Sequence, residues 1–207
     1  MSQNIVVSLF GVESEAYQTF TELKQNPGNE TSYVASAILV KKENGNITML
    51  DGFDTGANTA DDMVVGGLVG SLVGILGGPI GVLLGGSYGA LIGSMFDTED
   101  ALTTVCLLEQ IAGKAVDGDI GIIGLAFEED ESVLDGKLGK YNPTIVRFDA
   151  AAVAEEVEEA QQLEAEMARQ VRKELRDQRK EERKAKKEEK KAKLAEDWES
   201  FKAKFQN

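Results

Sequence analysis

The residues that could do chemistry are few, and the groups that most hydrolases need are missing. The 207-residue chain has no His and one Cys, so neither a Ser-His-Asp triad nor a Cys-His pair can form. The string Gly85-Gly-Ser87-Tyr-Gly89 matches the nucleophile elbow of the α/β-hydrolases. Glycines at regular spacing produce such strings by themselves, and the chain offers no His as a base. The sequence therefore predicts no catalytic residue and a protein that is not an enzyme.

Metal and cofactor sites have equally little support. With no His and with Cys106 alone, the chain lacks the ligand set of a zinc site. Asp117-Gly-Asp119 lacks the other ligands of an EF-hand loop, and the acidic run at 128–131 is typical of a solvated surface. Neither a P-loop nor a dinucleotide fingerprint occurs. We therefore predict no metal and no cofactor.

Charge is spread unevenly along the chain. The 36 acidic and 22 basic residues give a net charge of −14, which argues against nucleic acid as a partner. Residues 150–207 carry 15 bases and 15 acids, so residues 1–149 account for the whole excess.

The most distinctive segment is a Gly-rich apolar block, in which 34 consecutive residues from Met63 to Phe96 carry no charge. Half of the 22 glycines lie in it, and eight of them form two rows at a spacing of four residues. On a helix this spacing keeps residues on one face. The block therefore predicts a helical hairpin, residues 61–96, that turns at Pro79. The two rows are Gly66, Gly70, Gly74, Gly78 and Gly81, Gly85, Gly89, Gly93.

Rows of small residues let helix backbones approach closely, so we expect these eight glycines to mediate self-association. Each Gly costs a helix interior about 1 kcal/mol relative to Ala, and close packing or a lipid solvent must compensate. The two arms are short for a membrane span of about 20 residues. Two alternatives stay open: a hairpin inserted in the membrane, or a hairpin at the apolar centre of a soluble homo-oligomer, shell-like or storage-like.

The other elements predict an α+β domain made of residues 1–60 and 97–150. Strand, helix and strand follow one another in each half, and Asn44-Gly45 is a preferred hairpin turn. Such halves form a ferredoxin-like β-α-β sandwich with helices on one sheet face. Strands are expected at Ile5–Phe10, Tyr33–Lys41, Ile47–Leu50, Ile120–Phe127 and 141–148. Helices are expected from an N-cap at Ser14 with Tyr17, Phe20 and Leu23 inward, from a cap at Asp100 with Leu102, Val105, Cys106 and Ile111 inward, and around Val133, Leu134 and Leu138.

Residues 151–207 predict one long charged C-terminal helix. Val153 and Val157 begin a narrow apolar seam that suits docking on the domain or a short coiled coil. Residues 169–193 carry 13 bases and 6 acids, and the interleaved acids are expected to weaken the field, although anionic lipid is an alternative partner. A short amphipathic stripe at the end predicts an anchor for a membrane or a protein partner. Its members are Leu194, Trp198, Phe201 and Phe205.

The order of elements resembles that of the bacterial domain-of-unknown-function family 1269, described as predicted membrane or stress-related proteins. The resemblance covers about residues 3–155 and includes the hairpin around Lys42-Glu-Asn-Gly-Asn46, the Gly-rich insertion and the strand Ile120–Phe127. It implies a bacterial, non-enzymatic, membrane-associated protein and supplies no catalytic residue to carry over. The C-terminal helix lies outside it.

These observations predict a non-enzymatic, membrane-associated scaffold or stress protein that self-associates through a glycine zipper. The expected partners are a second copy of the chain, membrane lipid and a protein partner of the C-terminal helix. The expected location is the cytoplasmic side of the cell membrane, with the cytoplasm as the alternative. A third hypothesis is a module that binds a small ligand on the open sheet face.

Overall fold

The computed structural model describes residues 1–56, 65–81 and 106–205, with residues 65, 66, 106, 185, 189, 192 and 194–205 as backbone only. The chain divides into two compact units, Met1–Gln162 and Leu163–Asn207. The first unit therefore runs beyond the predicted boundary at residue 150. It includes the start of the long helix, where Val153, Val157 and Ala160 are buried.

Ten helices and strands of the described residues follow one another in the predicted order. The strands are β1 (Ser2–Phe10), β2 (Ser32–Glu43), β3 (Asn46–Asp54), β4 (Ile120–Glu128) and β5 (Thr144–Asp149). The helices are α1 (Glu13–Gln25), α2 (Val65–Gly77), α3 (Cys106–Lys114), α4 (Glu131–Leu138) and α5 (Ala150–Phe205), and a short 3-10 turn spans Gly139–Tyr141. The single C-terminal helix is confirmed.

The five strands form one antiparallel sheet in the order β3-β2-β4-β1-β5. Without β3, this is the order of two interleaved β-α-β units, so the predicted ferredoxin-like α+β fold is confirmed. β3 extends one edge through the Asn44-Gly45 turn. Both turn residues have positive φ, 54° and 78°, as a type I′ hairpin turn requires.

One face of the sheet carries the two crossover helices. Side chains that alternate along the strands, among them Val6, Leu39 and Ile122, form a core with Phe20 of α1 and Leu134 of α4. Helix α1 begins after Val12, whose side chain makes no cap, so the predicted cap at Ser14 is wrong. Consequently Ala16, Thr19, Phe20 and Leu23 point inward, whereas Tyr17 is 41% exposed rather than inward as predicted.

The other sheet face is covered as well, which corrects the expectation of helices on one face only. Ile5 and Val7 of β1 and Ile123 and Leu125 of β4 are all buried there. Helix α2 contacts β2, β3 and β4. The Gly-rich insertion thus returns onto the sheet from which it leaves, and the open face required by the ligand-module hypothesis is occupied. The predicted Asp100, Leu102 and Val105 lie outside the described residues.

Candidate functional site

Helix α2 has an inner aliphatic face that is used within its own domain. Its large side chains recur at helical spacing, so they share one side of the helix. The six whose side chains the structure describes are all buried, and α2 rests with them on the second face of the sheet. They are Leu68, Val69, Leu72, Val73, Ile75 and Leu76. Burying a side chain of this size stabilises a fold by about 1.5–3 kcal/mol, which outweighs the poor helix propensity of the glycines.

The opposite face of α2 is a stripe without side chains. Gly67, Gly70 and Gly74 are exposed, and a Cβ atom built at any of the three meets nothing within 4 Å. We call these three residues the outer glycine stripe. Half-buried Ser71 adjoins it, and α2 carries no charged residue. The stripe is therefore a smooth, neutral strip of helix backbone that no described residue of the domain covers.

The predicted first glycine row is only partly on this stripe. Gly70 and Gly74 belong to it, Gly66 lies in the first turn of α2, and Gly78 follows the end of the helix. Gly81 is buried where the carbonyl of Leu76 leaves no room for a Cβ. The row is shortened because α2 ends at Gly77, one residue before Gly78. The remaining predicted glycines, Gly85, Gly89 and Gly93, lie outside the described residues.

Gly77 has a structural role that the four-residue pattern did not reveal. A Cβ built there would lie 2.5 Å from the carbonyl oxygen of Ile47 in β3, much closer than atoms pack. Its missing side chain lets the end of α2 approach the edge strand. The signal in the sequence was the break Gly77-Gly78-Pro79, which marks the end of the helix.

Helix α3 is held at both ends by charges from other elements. At its start, the backbone N–H groups of Leu107 and Leu108 donate to the carboxylate of Glu156 in α5, at 2.9 and 3.0 Å. At its end, Nζ of Lys42 donates to the carbonyls of Ala112 and Ala115, at 2.9 and 2.8 Å. An anion at the start and a cation at the end both suit the helix dipole. These charges position α3, so they are structural.

A buried ion pair links the ends of three strands to α4. The Glu128 carboxylate accepts bonds from Arg147 at 2.9 Å and from Asn4 at 2.9 Å, while Arg147 also binds Asp135 at 2.7 Å. Partial burial lowers the pKa of Arg147, but its bonds to Glu128 and Asp135 outweigh burial and raise the pKa. Each carboxylate oxygen in the pair has a partner within the fold, so we assign this cluster to stability.

A groove lies between α1 and α4. It has a volume of about 390 Å³ and mixed polar lining. Lys140 already binds Glu22 across it at 2.7 Å. Thr19 is buried at its floor, and its Oγ1 has no hydrogen-bond partner. The groove has no convergent set of charges that would select a ligand.

The predicted anchor residues Leu194, Trp198, Phe201 and Phe205 all lie on α5, whose backbone is helical through Phe205. Their side chains lie outside the described part, so the anchor stays a prediction. Among the described residues, no helix combines the length and apolar composition needed to cross a membrane. Nor do those residues bring together three acidic or Cys side chains that could hold a metal ion.

Comparison with known proteins gave no match: no family model, curated protein or solved structure is significantly similar to the chain. The resemblance to family 1269 therefore stays a prediction. The outer glycine stripe contains two of the glycines predicted to mediate self-association, Gly70 and Gly74.

Proposed function

We propose that the protein is a non-enzymatic, self-associating scaffold whose copies meet through the outer glycine stripe of α2. The observation that carries this proposal is the division of α2 into a buried aliphatic face and an exposed face bare of side chains at Gly67, Gly70 and Gly74. A helix that served only its own core would gain about 1 kcal/mol for each of these glycines replaced by Ala. A role in close backbone contact explains why glycine stands there.

A second copy of the chain fits the stripe better than lipid does. Insertion into a bilayer requires large apolar side chains to face the acyl chains, and those of α2 are buried against the sheet. A bare strip of helix, by contrast, complements an identical strip, because two such helices can cross at backbone distance. Facing copies related by a two-fold axis would present the same residues to each other.

The test is the oligomeric state of the Gly70→Leu/Gly74→Leu variant. Both positions have open space around the Cβ, so the larger side chains fit the folded monomer and obstruct only a neighbour. We expect the wild-type chain to elute as an oligomer in size exclusion with light scattering. The variant should elute as a monomer with an unchanged circular dichroism spectrum.

A matched control places the same two substitutions on other helices. Gly113 of α3 and Gly136 of α4 are also exposed, helical and open around the Cβ. The Gly113→Leu/Gly136→Leu variant should keep the wild-type mass. The proposal is wrong if wild type is monomeric, or if the stripe variant and the control have the same oligomer mass.

Alkaline carbonate extraction and the need for detergent separate the scaffold from a membrane-inserted hairpin. If the wild-type chain oligomerises without detergent and the stripe variant does not, chain-to-chain contact is supported. A chain that stays with the membrane through alkaline carbonate extraction and needs detergent for dispersal would favour the inserted hairpin. The stress-related role remains a proposal that rests on the resemblance alone.

A further inference from the structure

The exposed part of α5 carries a regular row of basic side chains. Starting at Arg169, a base recurs at alternating spacings of three and four residues through Lys193. This spacing averages 3.5 residues, close to the helical repeat, so the row stays on one side of the helix. We call it the basic row, and its eight members are Arg169, Arg172, Arg176, Arg179, Arg183, Lys186, Lys190 and Lys193.

The structure brings these side chains together along the helix. Arg172, Arg176, Arg179 and Arg183 lie side by side with Leu175 and Lys180 on the exposed surface of the helix. Lys186, Lys190 and Lys193 lie side by side in the same way with Lys187. Every basic residue from 169 to 193 is exposed. The row is therefore a continuous surface, about 36 Å long at 1.5 Å per residue.

The acids of this segment lie on the other side of the helix, contrary to the expectation that they weaken its field. At 3.6 residues per turn, all 13 bases fall within roughly half of the circumference and the six acids within the other half. The segment carries a net charge of +7, from 13 bases and 6 acids. At the border of the two halves, Lys180 pairs with Asp177 at 3.3 Å. The helix thus has a basic half and an acidic half.

The segregation of basic and acidic side chains determines which shape of anionic partner can bind the helix. A nucleic-acid groove has phosphates on both walls, so the acidic half of an inserted helix would meet like charge. Residues 169–193 contain no aromatic residue on which bases of a single strand could stack. A flat anionic surface, in contrast, touches the basic half and leaves the acidic half in water.

We propose that the basic half of α5 binds the surface of anionic phospholipid membranes. The contact is electrostatic, because no large apolar residue occurs from Arg176 to Lys193 and nothing there can enter the acyl region. The overall charge of −14 does not prevent it, since at physiological salt the Debye length of about 8 Å confines the interaction to nearby charges. This proposal is independent of the outer glycine stripe.

The test is co-sedimentation of the full chain with vesicles. Phosphatidylcholine vesicles with about 30 mol % phosphatidylserine supply the anionic surface, and pure phosphatidylcholine vesicles supply the neutral one. We expect binding to the anionic vesicles only, and we expect it to disappear as salt rises from about 50 to 500 mM. Equal binding to both vesicles, or no binding to either, would overturn the proposal.

Two variants with the same net charge locate the contact. Arg176→Gln/Arg183→Gln removes two positive charges from the basic row. Gln170→Glu/Gln178→Glu adds two negative charges to the acidic half and so lowers the net charge of the chain by the same amount. Each base near an anionic leaflet strengthens binding roughly fivefold, so the first variant should bind about 25-fold more weakly. The second should lose less than about threefold, because its new charges are a helix diameter away from the lipid.

Equal losses in the two variants would show a general charge effect and would overturn the assignment to the basic half. Circular dichroism of both variants checks that α5 stays helical. A duplex DNA and a single-stranded RNA are titrated under the same salt. If either binds the chain more tightly than the anionic vesicles do, the assignment to lipid is wrong. The Gly70→Leu/Gly74→Leu variant keeps the basic half of α5 and should still bind anionic vesicles. As a monomer it presents one basic half instead of several, so any weakening should match that number, and the two proposals can be tested separately.

Discussion

Lys42 shows how one buried charge can fix the position of a helix. Its side chain extends along the second face of the sheet and ends between two carbonyls of α3. The residue is only 7% exposed, yet its ammonium group is satisfied by oxygen atoms at the negative end of the helix dipole. Removing the charge leaves those carbonyls without a donor.

We therefore expect Lys42→Met to lower the free energy of unfolding by about 2–3 kcal/mol, since hydrogen bonds to charged groups contribute about 1.5–3 kcal/mol each. Met keeps most of the aliphatic stem, so little packing is lost. Denaturation by urea measures the difference. Lys24→Met is the control: Lys24 pairs with Asp51 at 3.3 Å on the surface, and such pairs contribute about 0–1 kcal/mol. Similar losses in both variants would contradict the role of Lys42.

Glu22 connects α1 to the segment after α4 by a surface ion pair. The hydrogen bond from Lys140, at 2.7 Å, and that from Gln18, at 3.0 Å, lower the pKa of Glu22 below its ordinary value of 4.5. The unfolded chain then binds more protons near pH 4.5 than the folded chain does. The contribution of Glu22 to stability is therefore complete above pH 4.5 and is lost as the pH falls through the lowered pKa.

The expected result is that Lys140→Gln raises the pKa of Glu22 towards 4.5, because it removes the strongest of the bonds to the carboxylate. Titration of the Glu22 carboxyl carbon by NMR measures this directly. Lys137→Gln serves as the control, because Lys137 lies on the same groove without a described bond to Glu22. A Glu22 pKa that is the same in wild type and Lys140→Gln would refute the assignment.

At the scale of one element, α2 contains two kinds of glycine. Gly74 faces open space, whereas Gly77 lies against the carbonyl of Ile47. We expect Gly74→Ala to raise the free energy of unfolding by about 0.5–1 kcal/mol. Gly77→Ala should lower it by about 1–3 kcal/mol, because backbone must move to admit the methyl group.

Thermal unfolding of the two variants at low protein concentration checks this contrast, since dilution removes any contribution from self-association. Opposite signs are expected. A stabilising Gly77→Ala would mean that α2 and β3 separate easily, and the division of α2 into an inner and an outer face would need revision.

Elements with a strong local signal could be predicted from the sequence. The Asn44-Gly45 turn, the strand at Ile120–Phe127 and the single C-terminal helix follow from turn chemistry, apolar runs and the absence of Gly and Pro. The start of α1 could not be predicted, because Ser14 suits a cap equally well in isolation. Only the packing of Ala16 and Phe20 decides which turn of the helix faces the core.

At the scale of the whole chain, the covered second sheet face was beyond sequence reasoning. As a linear pattern, the aliphatic residues of α2 are equally compatible with packing against lipid, against a second copy of the chain and against a sheet. The contact is decided by complementarity with β2, β3 and β4, which come from segments far apart in sequence. The same holds for the link from Glu156 to α3, for which the sequence carries no signal.

The candidate site was predicted in part for the same reason. The glycine spacing identified Gly70 and Gly74 correctly as small residues on one side of a helix. It did not show that Gly77 and Gly81 face their own domain. The basic row could be read from the sequence by its regular spacing, but a count of 13 bases and 6 acids hides the direction in which each charge points.

The position of β1 in the middle of the sheet sets the order of events during synthesis. Both neighbours of this first strand, β4 and β5, come from the second half of the chain. Ile5 and Val7 therefore emerge from the ribosome long before Ile123 and Phe148 exist to cover them. Until about residue 128 has left the exit tunnel, the only strand pair that the nascent chain can complete is the hairpin of β2 and β3. Until then the apolar first strand stays unpaired, accessible to chaperones and to neighbouring nascent chains.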